Sequence, residues 1–382
     1  MLRVGHARRR VWLTPPPMPE NPWSRAPASA PSTMSRTYSV RSLAATSRVS
    51  RGPHTAFVMP EDVTSKLRAD GVSDWLIQAV ANMARGNPDV VSGLLVSVSD
   101  PIILPGTKTS CRTHFVKKDG NGRARVDALV NVLAQKAVDY CIPRSRINEA
   151  LAAMHTTGST ADFVRLSEEA RSLFTNLATS GEGGELLLYT LLEEVLRIPQ
   201  IICKMPLKTN SQMHIHGSDG IHGKMLDSGN LALYWGESKL HAKVNSAIDK
   251  CFESVGPFLI EGLDGAAQRD LLLVRDNLDT GSEELTAALI RYFSQGTEES
   301  AKIEVRAGCL VGFDVDDYPD PLDDSGQAIR VEVQKAIDGW IKRISDKVGT
   351  HSLASFEIEI FCVPVPSVQN FRNSLNARLA LS

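Results

Sequence analysis

One segment of the chain, residues 181–256, constrains the fold more than any other. Its first part, Glu185–Leu196, places apolar residues on a wide helical stripe, and Pro199 ends that helix. Three apolar stretches separated by polar turns then predict successive β-strands over Gln200–Met205, Met213–Ile221 and Asn230–Lys239. Helical spacing returns at Ala242–Val255. A helix, three strands and a second helix in this order are typical of an α/β domain.

The rest of the chain continues the alternation, so we expect one large domain over residues 59–382. Strands are predicted at Val90–Val98 and Cys111–Val116, and further strands and helices alternate through the C-terminal third. Strands embedded among helices favour a mixed sheet that is covered by helices on both faces. The predicted fold class is therefore α/β, without an internal repeat.

Residues 1–58 differ sharply in composition from the rest. They hold nine Arg, no Lys and a single acid, Glu20, and carry about +8, whereas the remaining residues carry −10. Eight of the 20 prolines also lie there, with three in a row at 15–17. An Arg-rich, acid-poor N-terminus is typical of an organelle transit peptide, but a proline run does not form a helix. We expect a disordered basic leader outside the mature protein, with Met34 or Met59 as the start.

Composition also indicates the class of protein. No apolar run approaches the roughly 18 residues that are needed to cross a bilayer, so the sequence predicts no membrane segment. The six cysteines are scattered without a CxxC pair, and a chain of this length needs no disulfide framework. We therefore expect reduced thiols and a cytoplasmic protein.

The densest group of polar residues lies in the last two predicted strands. Side chains of a strand alternate between its faces, so Glu237 and Lys239 continue the apolar face of Leu233 and Trp235. Charges at such a position need each other or a ligand, because an unpaired buried charge is costly. Asp219, which glycines flank, is expected at the end of the neighbouring strand, where its carboxylate can meet that of Glu237.

Two carboxylates and a lysine in this arrangement predict metal-assisted hydrolysis of a phosphodiester. Carboxylate oxygens suit Mg²⁺, with Mn²⁺ as a substitute, and Mg²⁺ in proteins is commonly held by one or two carboxylates together with waters and a substrate phosphate. Lys239 on the same face is then placed to orient a water and to stabilise charge on the scissile phosphate.

Several motifs along the chain resemble the HamA family, the effector of Hachiman anti-phage defence, and the D…ExK pattern resembles the PD-(D/E)xK nuclease superfamily. The segments that carry the resemblance are Asp139–Arg144, Gly184–Tyr189, Lys204–Asn210, His216–His222, Gly236–Lys239, Val311–Asp314 and Val363–Ser367. The resemblance spans about residues 90–381. It implies a restriction-endonuclease-like mixed sheet flanked by helices, with its catalytic core in about residues 181–256.

The resemblance also implies roles for single residues and a partner. Glu237 and Lys239 match the ExK pair, Asp219 matches the metal-binding aspartate, and Glu185 matches an acid on the preceding helix that completes the metal site. Members of this family resemble DNA endonucleases that are controlled by a superfamily 2 helicase, HamB. The acidic net charge of residues 59–382 favours delivery to DNA by such a partner, since duplex DNA is bound mainly through basic residues.

Each site assignment has an alternative that the sequence leaves open. Glu237 and Lys239 can form a structural ion pair, and an acid such as Glu185 in the first turn of a helix can serve the helix dipole. In that case the protein is a catalytically silent subunit that binds a helicase. The intact set of acids and lysine favours the enzyme.

The residues around this set have alternatives of their own. The histidines of the motif, His214, His216 and His222, admit a zinc site, although no cysteine lies at ligand spacing. His216, Ser218 and His222 can instead contact the substrate or support Asp219 by hydrogen bonds. The lysines nearby, among them Lys204 and Lys243, either contact phosphates or form a solvated face.

Overall fold

The computed structural model describes residues 74–174, 181–205, 218–261 and 266–380; the predicted leader, residues 1–58, lies outside these ranges. The helices are α1 Asp74–Ala81, α2 Pro88–Ser92, α3 Val126–Gln135, α4 Ala137–Cys141, α5 Arg144–Thr157, α6 Ala161–Ser172, α7 Glu182–Thr190, α8 Val244–Glu261, α9 Ala266–Asn277, α10 Glu283–Ile290, α11 Val331–Thr350 and α12 Val368–Leu379. The strands are β1 Leu95–Ser97, β2 Ile102–Ile103, β3 Thr109–Val116, β4 Gln200–Ile202, β5 Gly220–Met225, β6 Leu231–His241, β7 Ile303–Asp314 and β8 Ile358–Val365. A π-helical turn, Leu191–Val195, continues α7.

The described strands form one mixed sheet. Their order is β1-β3-β8-β7-β6-β5-β4, and the short β2 pairs with β3. The central strands β3, β8, β7 and β6 are parallel to one another, whereas β1, β5 and β4 pair antiparallel with their neighbours. β6 pairs with β7 along its whole length, from Leu231 opposite Ile303 to His241 opposite Phe313. The sheet confirms the predicted α/β fold.

Helices cover both faces of this sheet with separate apolar layers. On one face, α3, α4, α7 and α12 bury Ala232 and Leu240 of β6 within a large cluster. On the opposite face, Phe252 of α8 and Ile344 of α11 pack against β7 and β8. A further cluster from α1, α9 and α10 covers Trp235. β6 therefore lies in the interior, between α7 and α8, and any charge on it is placed in a largely apolar environment.

Two predicted strands differ from the structure. Residues 90–98 form the end of α2 and only the short β1, because Pro88 in the first turn and the Asn87 side chain, which caps Asp89 N–H, start a helix. The strand predicted over Met213–Ile221 begins at Gly220 and runs to Met225, and its part before residue 218 lies outside the described ranges.

The cysteines and the helices bear on two expectations from composition. All six cysteines are free thiols, five of them buried, as predicted for reduced cysteines. Within the described residues, no helix is both long enough and apolar enough to cross a membrane.

Candidate active site

The polar end of β6 lies between α7 and α8. Glu237 and Lys239 point to one face, where Cys251 of α8 is their neighbour. Ser238 points to the other face, towards α7, and a methyl group added at Gly184 would lie 3.0 Å from its Oγ. The close approach of α7 to β6 therefore depends on a residue without a side chain at position 184. This alternation is the one predicted from the sequence.

Asp219 takes the place of a strand residue beside this end of β6. β5 begins at Gly220, opposite Gly236, so β5 does not pair with β6 beyond that point. Asp219 N–H donates to the Gly236 carbonyl at 2.8 Å. The Oδ2 atom of Asp219 accepts hydrogen bonds from the backbone N–H and from Oγ of Ser238, both at 2.7 Å. The carboxylate is thus fixed against the edge of β6, next to Glu237.

The electrostatics of the site follow from burial and from this proximity. Glu237 is 4% exposed, and burial together with the negative charge of Asp219 raises its pKa to about 7. Lys239 forms an ion pair with Glu237 and partly offsets this effect. Burial lowers the pKa of Lys239, but attraction to Glu237 and Asp219 outweighs it and the pKa is raised overall. Two carboxylates therefore compete for one lysine.

Glu185 lies on the α7 side of the sheet and reaches Asp219 through one hydroxyl group. It is 7% exposed, and its Oε2 accepts a hydrogen bond from the Tyr140 hydroxyl at 2.9 Å. The same hydroxyl lies 3.2 Å from the backbone carbonyl oxygen of Asp219. The Tyr140 hydroxyl thus links Glu185 to the backbone of Asp219. The predicted auxiliary acid lies on the α7 side of the carboxylate pair.

Two of the predicted supporting residues have local partners. His222 is buried, and its Nδ1 lies 3.0 Å from the Ile198 carbonyl oxygen. Burial lowers the pKa of His222 to about 4, so its ring is neutral at pH 7. Ser218 Oγ donates to the Gly220 carbonyl at 2.7 Å and accepts from Gly220 N–H at 3.2 Å. Both residues shape the start of β5 directly beside Asp219.

The other predicted contacts are spread around the site. Lys204 is buried just after β4, whereas Lys243 is exposed and directly precedes α8. His216 lies outside the described residues. Their predicted contacts with substrate therefore stay predictions.

The carboxylate pair fits a hard divalent cation. The raised pKa of Glu237 records repulsion from Asp219 in a buried setting, which a bound cation would relieve. Within the described residues, no group of three or more His, Cys, Asp or Glu side chains is arranged to hold a metal. Two carboxylates are a number of protein ligands that Mg²⁺ commonly takes alongside waters and a substrate phosphate, and the metal itself stays a prediction.

Tyr140 and Ser238 were not among the residues predicted for the site. Each lies within one of the motifs on which the family resemblance depends, Asp139–Arg144 and Gly236–Lys239, and this was the available indication. The bond from Tyr140 to Asp219 joins positions 79 residues apart, and no local pattern in the sequence specifies such a contact.

Comparison with known proteins assigns the chain to a family. The family model of HamA matches residues 94–379, which is most of the chain and includes the whole site described above. No curated protein matches the chain. The matched segment contains all the motifs that carry the resemblance, and the chain belongs to the HamA family.

Proposed function

We propose that this protein is a metal-dependent DNA endonuclease that acts as the effector of an anti-phage defence system. The observation that carries the proposal is the fixed position of the Asp219 carboxylate beside the buried Glu237–Lys239 pair. A buried pair with a second carboxylate against it is poorly suited to a purely structural role, since the extra negative charge is left uncompensated. Membership of the HamA family supports a component of Hachiman defence.

Each residue of the site has a distinct part in the proposed hydrolysis. Asp219 and Glu237 hold Mg²⁺, for which Mn²⁺ can substitute. When bound, the ion supplies a Lewis acid that stabilises charge on the scissile phosphate. Lys239, charged at neutral pH, orients the attacking water and donates a hydrogen bond to a phosphate oxygen. A direct contact of Glu185 with the ion stays a prediction, since its described partner is the Tyr140 hydroxyl.

The net negative charge of the chain supports a partner that brings the nuclease to DNA. Residues 59–382 carry a net −10, which opposes free association with DNA. A superfamily 2 helicase of the HamB type, which the family implies, would deliver the nuclease to DNA and control it. The proposal therefore includes such a helicase as the regulator of cleavage.

Plasmid degradation by the purified chain with Mg²⁺ tests the proposed activity. The wild type is expected to nick or degrade the plasmid, and Glu237→Ala and Lys239→Ala are expected to abolish this. Glu253→Ala is the matched control, because Glu253 forms an exposed ion pair with Lys250 on α8 at 2.7 Å. If the wild type shows no metal-dependent cleavage, with or without its helicase, a catalytically silent helicase-binding subunit replaces the enzyme.

A further inference from the structure

Basic residues gather where β6 ends and α8 begins. His241 is the last residue of β6 and lies on the same face as Lys239 and Glu237, which are two and four residues away. Lys243 is exposed in the short connection to α8. Arg372 comes from α12 and reaches this end of the strand by a 2.9 Å hydrogen bond from Nη2 to the Leu240 carbonyl. We call His241, Lys243 and Arg372 the strand-end patch.

Arg372 is the member of the patch whose hydrogen-bonding groups are least satisfied. Its side chain is half-buried, and within the described residues it forms no ion pair. Its Nε is buried and has no hydrogen-bond partner. Burial lowers the pKa of Arg372, and attraction by Asp314 acts in the opposite direction. The Oδ1 atom of Asp314 accepts a 2.6 Å hydrogen bond from Val368 N–H. A partly desolvated guanidinium that forms no ion pair among the described residues and leaves one N–H without a partner is costly unless a ligand completes it.

Charges of both signs surround the patch. Burial and the positive charges of Arg372, Lys239 and Lys250 lower the pKa of His241. Lys250 is paired with Glu253, but Lys243 forms no ion pair among the described residues. Lys243 and Arg372 are thus the cations of the patch that form no ion pair within the described ranges, and Asp314 is the acid that attracts Arg372.

The first turn of α8 adds to this field. α8 is 18 residues long and has no acidic residue in its first turn. The free N–H groups and the positive end of the helix dipole at such a terminus favour a bound anion. Because α8 begins three residues after His241, its positive end and the strand-end patch lie together.

We propose that the strand-end patch binds backbone phosphates of the DNA strand that crosses Glu237 and Lys239. This inference rests on the proposed nuclease function, and it names where the substrate is held. Arg372 supplies the guanidinium N–H groups that Leu240 does not occupy to one phosphate, while Lys243 and the first turn of α8 face the next. Duplex DNA is the occupant that Arg372 and Lys243 favour, since neither forms an ion pair among the described residues and both lie near the cleavage site. An acidic protein segment is the competing occupant that the test excludes.

The test is the salt dependence of DNA binding by the full chain with a chelator present, so that no cleavage occurs. A short duplex is titrated with the wild type, Arg372→Met and Lys243→Ala at several salt concentrations. Each substitution is expected to weaken binding and to reduce the slope of log K against log salt by about 1, the value for one lost phosphate contact. The Arg-rich residues 1–58 are common to every variant, so their contribution cancels.

Matched controls separate a phosphate contact from a loss of charge. Arg125→Met removes an arginine that, like Arg372, donates to a backbone carbonyl, that of Gly93, and has no ion pair among the described residues. Lys335→Ala removes an exposed lysine of α11. Both are expected to retain the wild-type slope. If Arg372→Met does not fold, Arg372→Lys and Lys243→Ala carry the test, with Lys expected to restore the slope only in part.

The outcomes separate this inference from the proposed function. Equal slopes of log K against log salt for the wild type, Arg372→Met and Lys243→Ala would overturn the proposed role of the patch. A wild type that binds no DNA would overturn it as well. Loss of helicase binding, with the DNA slopes unchanged, would instead assign the patch to an acidic protein segment and also overturn it. Cleavage of plasmid with Mg²⁺ is measured on the same preparations. Cleavage that is unaffected by Arg372→Met would leave the proposed nuclease function intact and remove the role of this patch in holding the substrate.

Discussion

At the scale of single residues, Asp219 is held by hydrogen bonds at both its side chain and its backbone. Ser238 fixes its carboxylate with two hydrogen bonds, and Tyr140 contacts its backbone carbonyl. Neighbouring groups that hydrogen-bond to a metal ligand fix its orientation. Loss of such a neighbour typically lowers metal affinity or activity by about 10-fold to 100-fold. The rate of cleavage should therefore respond to residues that touch neither metal nor DNA.

Ser238→Ala tests this directly. It removes the 2.7 Å bond from Oγ to Asp219 Oδ2 and keeps the bond from the backbone N–H. We expect cleavage to fall about 10-fold and more Mg²⁺ to be needed for half-maximal activity, with little change in folding. Ser92→Ala, which removes an exposed hydroxyl that bonds to the Asp89 carbonyl, is the control. Unchanged Mg²⁺ dependence in Ser238→Ala would contradict the role of Ser238.

His222 predicts a dependence of stability on pH. Burial lowers its pKa from 6.5 to about 4, so below pH 6.5 the unfolded chain binds a proton at this site that the folded chain does not. This stability is fully present above pH 6.5 and is lost as the pH falls towards 4. Urea unfolding should show about 2 kcal/mol less stability at pH 5 than at pH 7 from this residue.

The variant His222→Gln isolates that contribution. His114, whose pKa is also lowered to about 4 by burial, remains in the variant and keeps its own pH dependence. We therefore expect His222→Gln to lose less stability than the wild type between pH 7 and pH 5, whatever its stability at pH 7. An identical loss in both proteins would mean that His222 is not buried as a neutral ring.

At the scale of elements, the approach of α7 to β6 controls the site. A methyl group at Gly184 would lie 3.0 Å from Ser238 Oγ and 3.1 Å from Leu240 Cγ, so these side chains or α7 must shift by a few tenths of an ångström, and we expect α7 to move outward. Glu185, the next residue of α7, would then move away from Tyr140. Helix position and the geometry of the carboxylate pair are therefore coupled.

Gly184→Ala should destabilise the protein by about 1–3 kcal/mol, the usual cost of overpacking, and should also reduce cleavage. Gly339→Ala in α11 is the matched control, because no atom lies within 4 Å of its added methyl. There the better helix propensity of Ala should stabilise the protein by up to about 1 kcal/mol. Equal unfolding midpoints for both variants in urea would contradict the close contact.

Local pattern predicts some of these elements and not others. The alternation along β6 follows from its sequence, since each side chain changes face with its own position. The start of α2 at Pro88 is instead decided by a cap and a proline, which outweigh the β-branched residues that follow. The bonds from Tyr140 to Asp219 and from Arg372 to Leu240 depend on the packing of α4 and α12 against the sheet. A single sequence does not specify such packing.

At the scale of the whole molecule, charge is distributed unevenly. Residues 59–382 are acidic overall, yet the end of β6 collects cations beside two carboxylates. A bound divalent ion would neutralise the carboxylates, and DNA would neutralise the cations. Metal and DNA are thus expected to bind to adjoining parts of the site.

Manganese binding to the purified chain, followed by electron paramagnetic resonance, tests the central claim most directly. We expect the wild type to bind Mn²⁺ and Asp219→Asn and Glu237→Gln each to bind it at least about 10-fold more weakly. Asp227→Asn, an exposed aspartate in the turn between β5 and β6, should bind like the wild type. A wild type that binds no Mn²⁺, or equal binding by all four proteins, would contradict a metal site formed by Asp219 and Glu237.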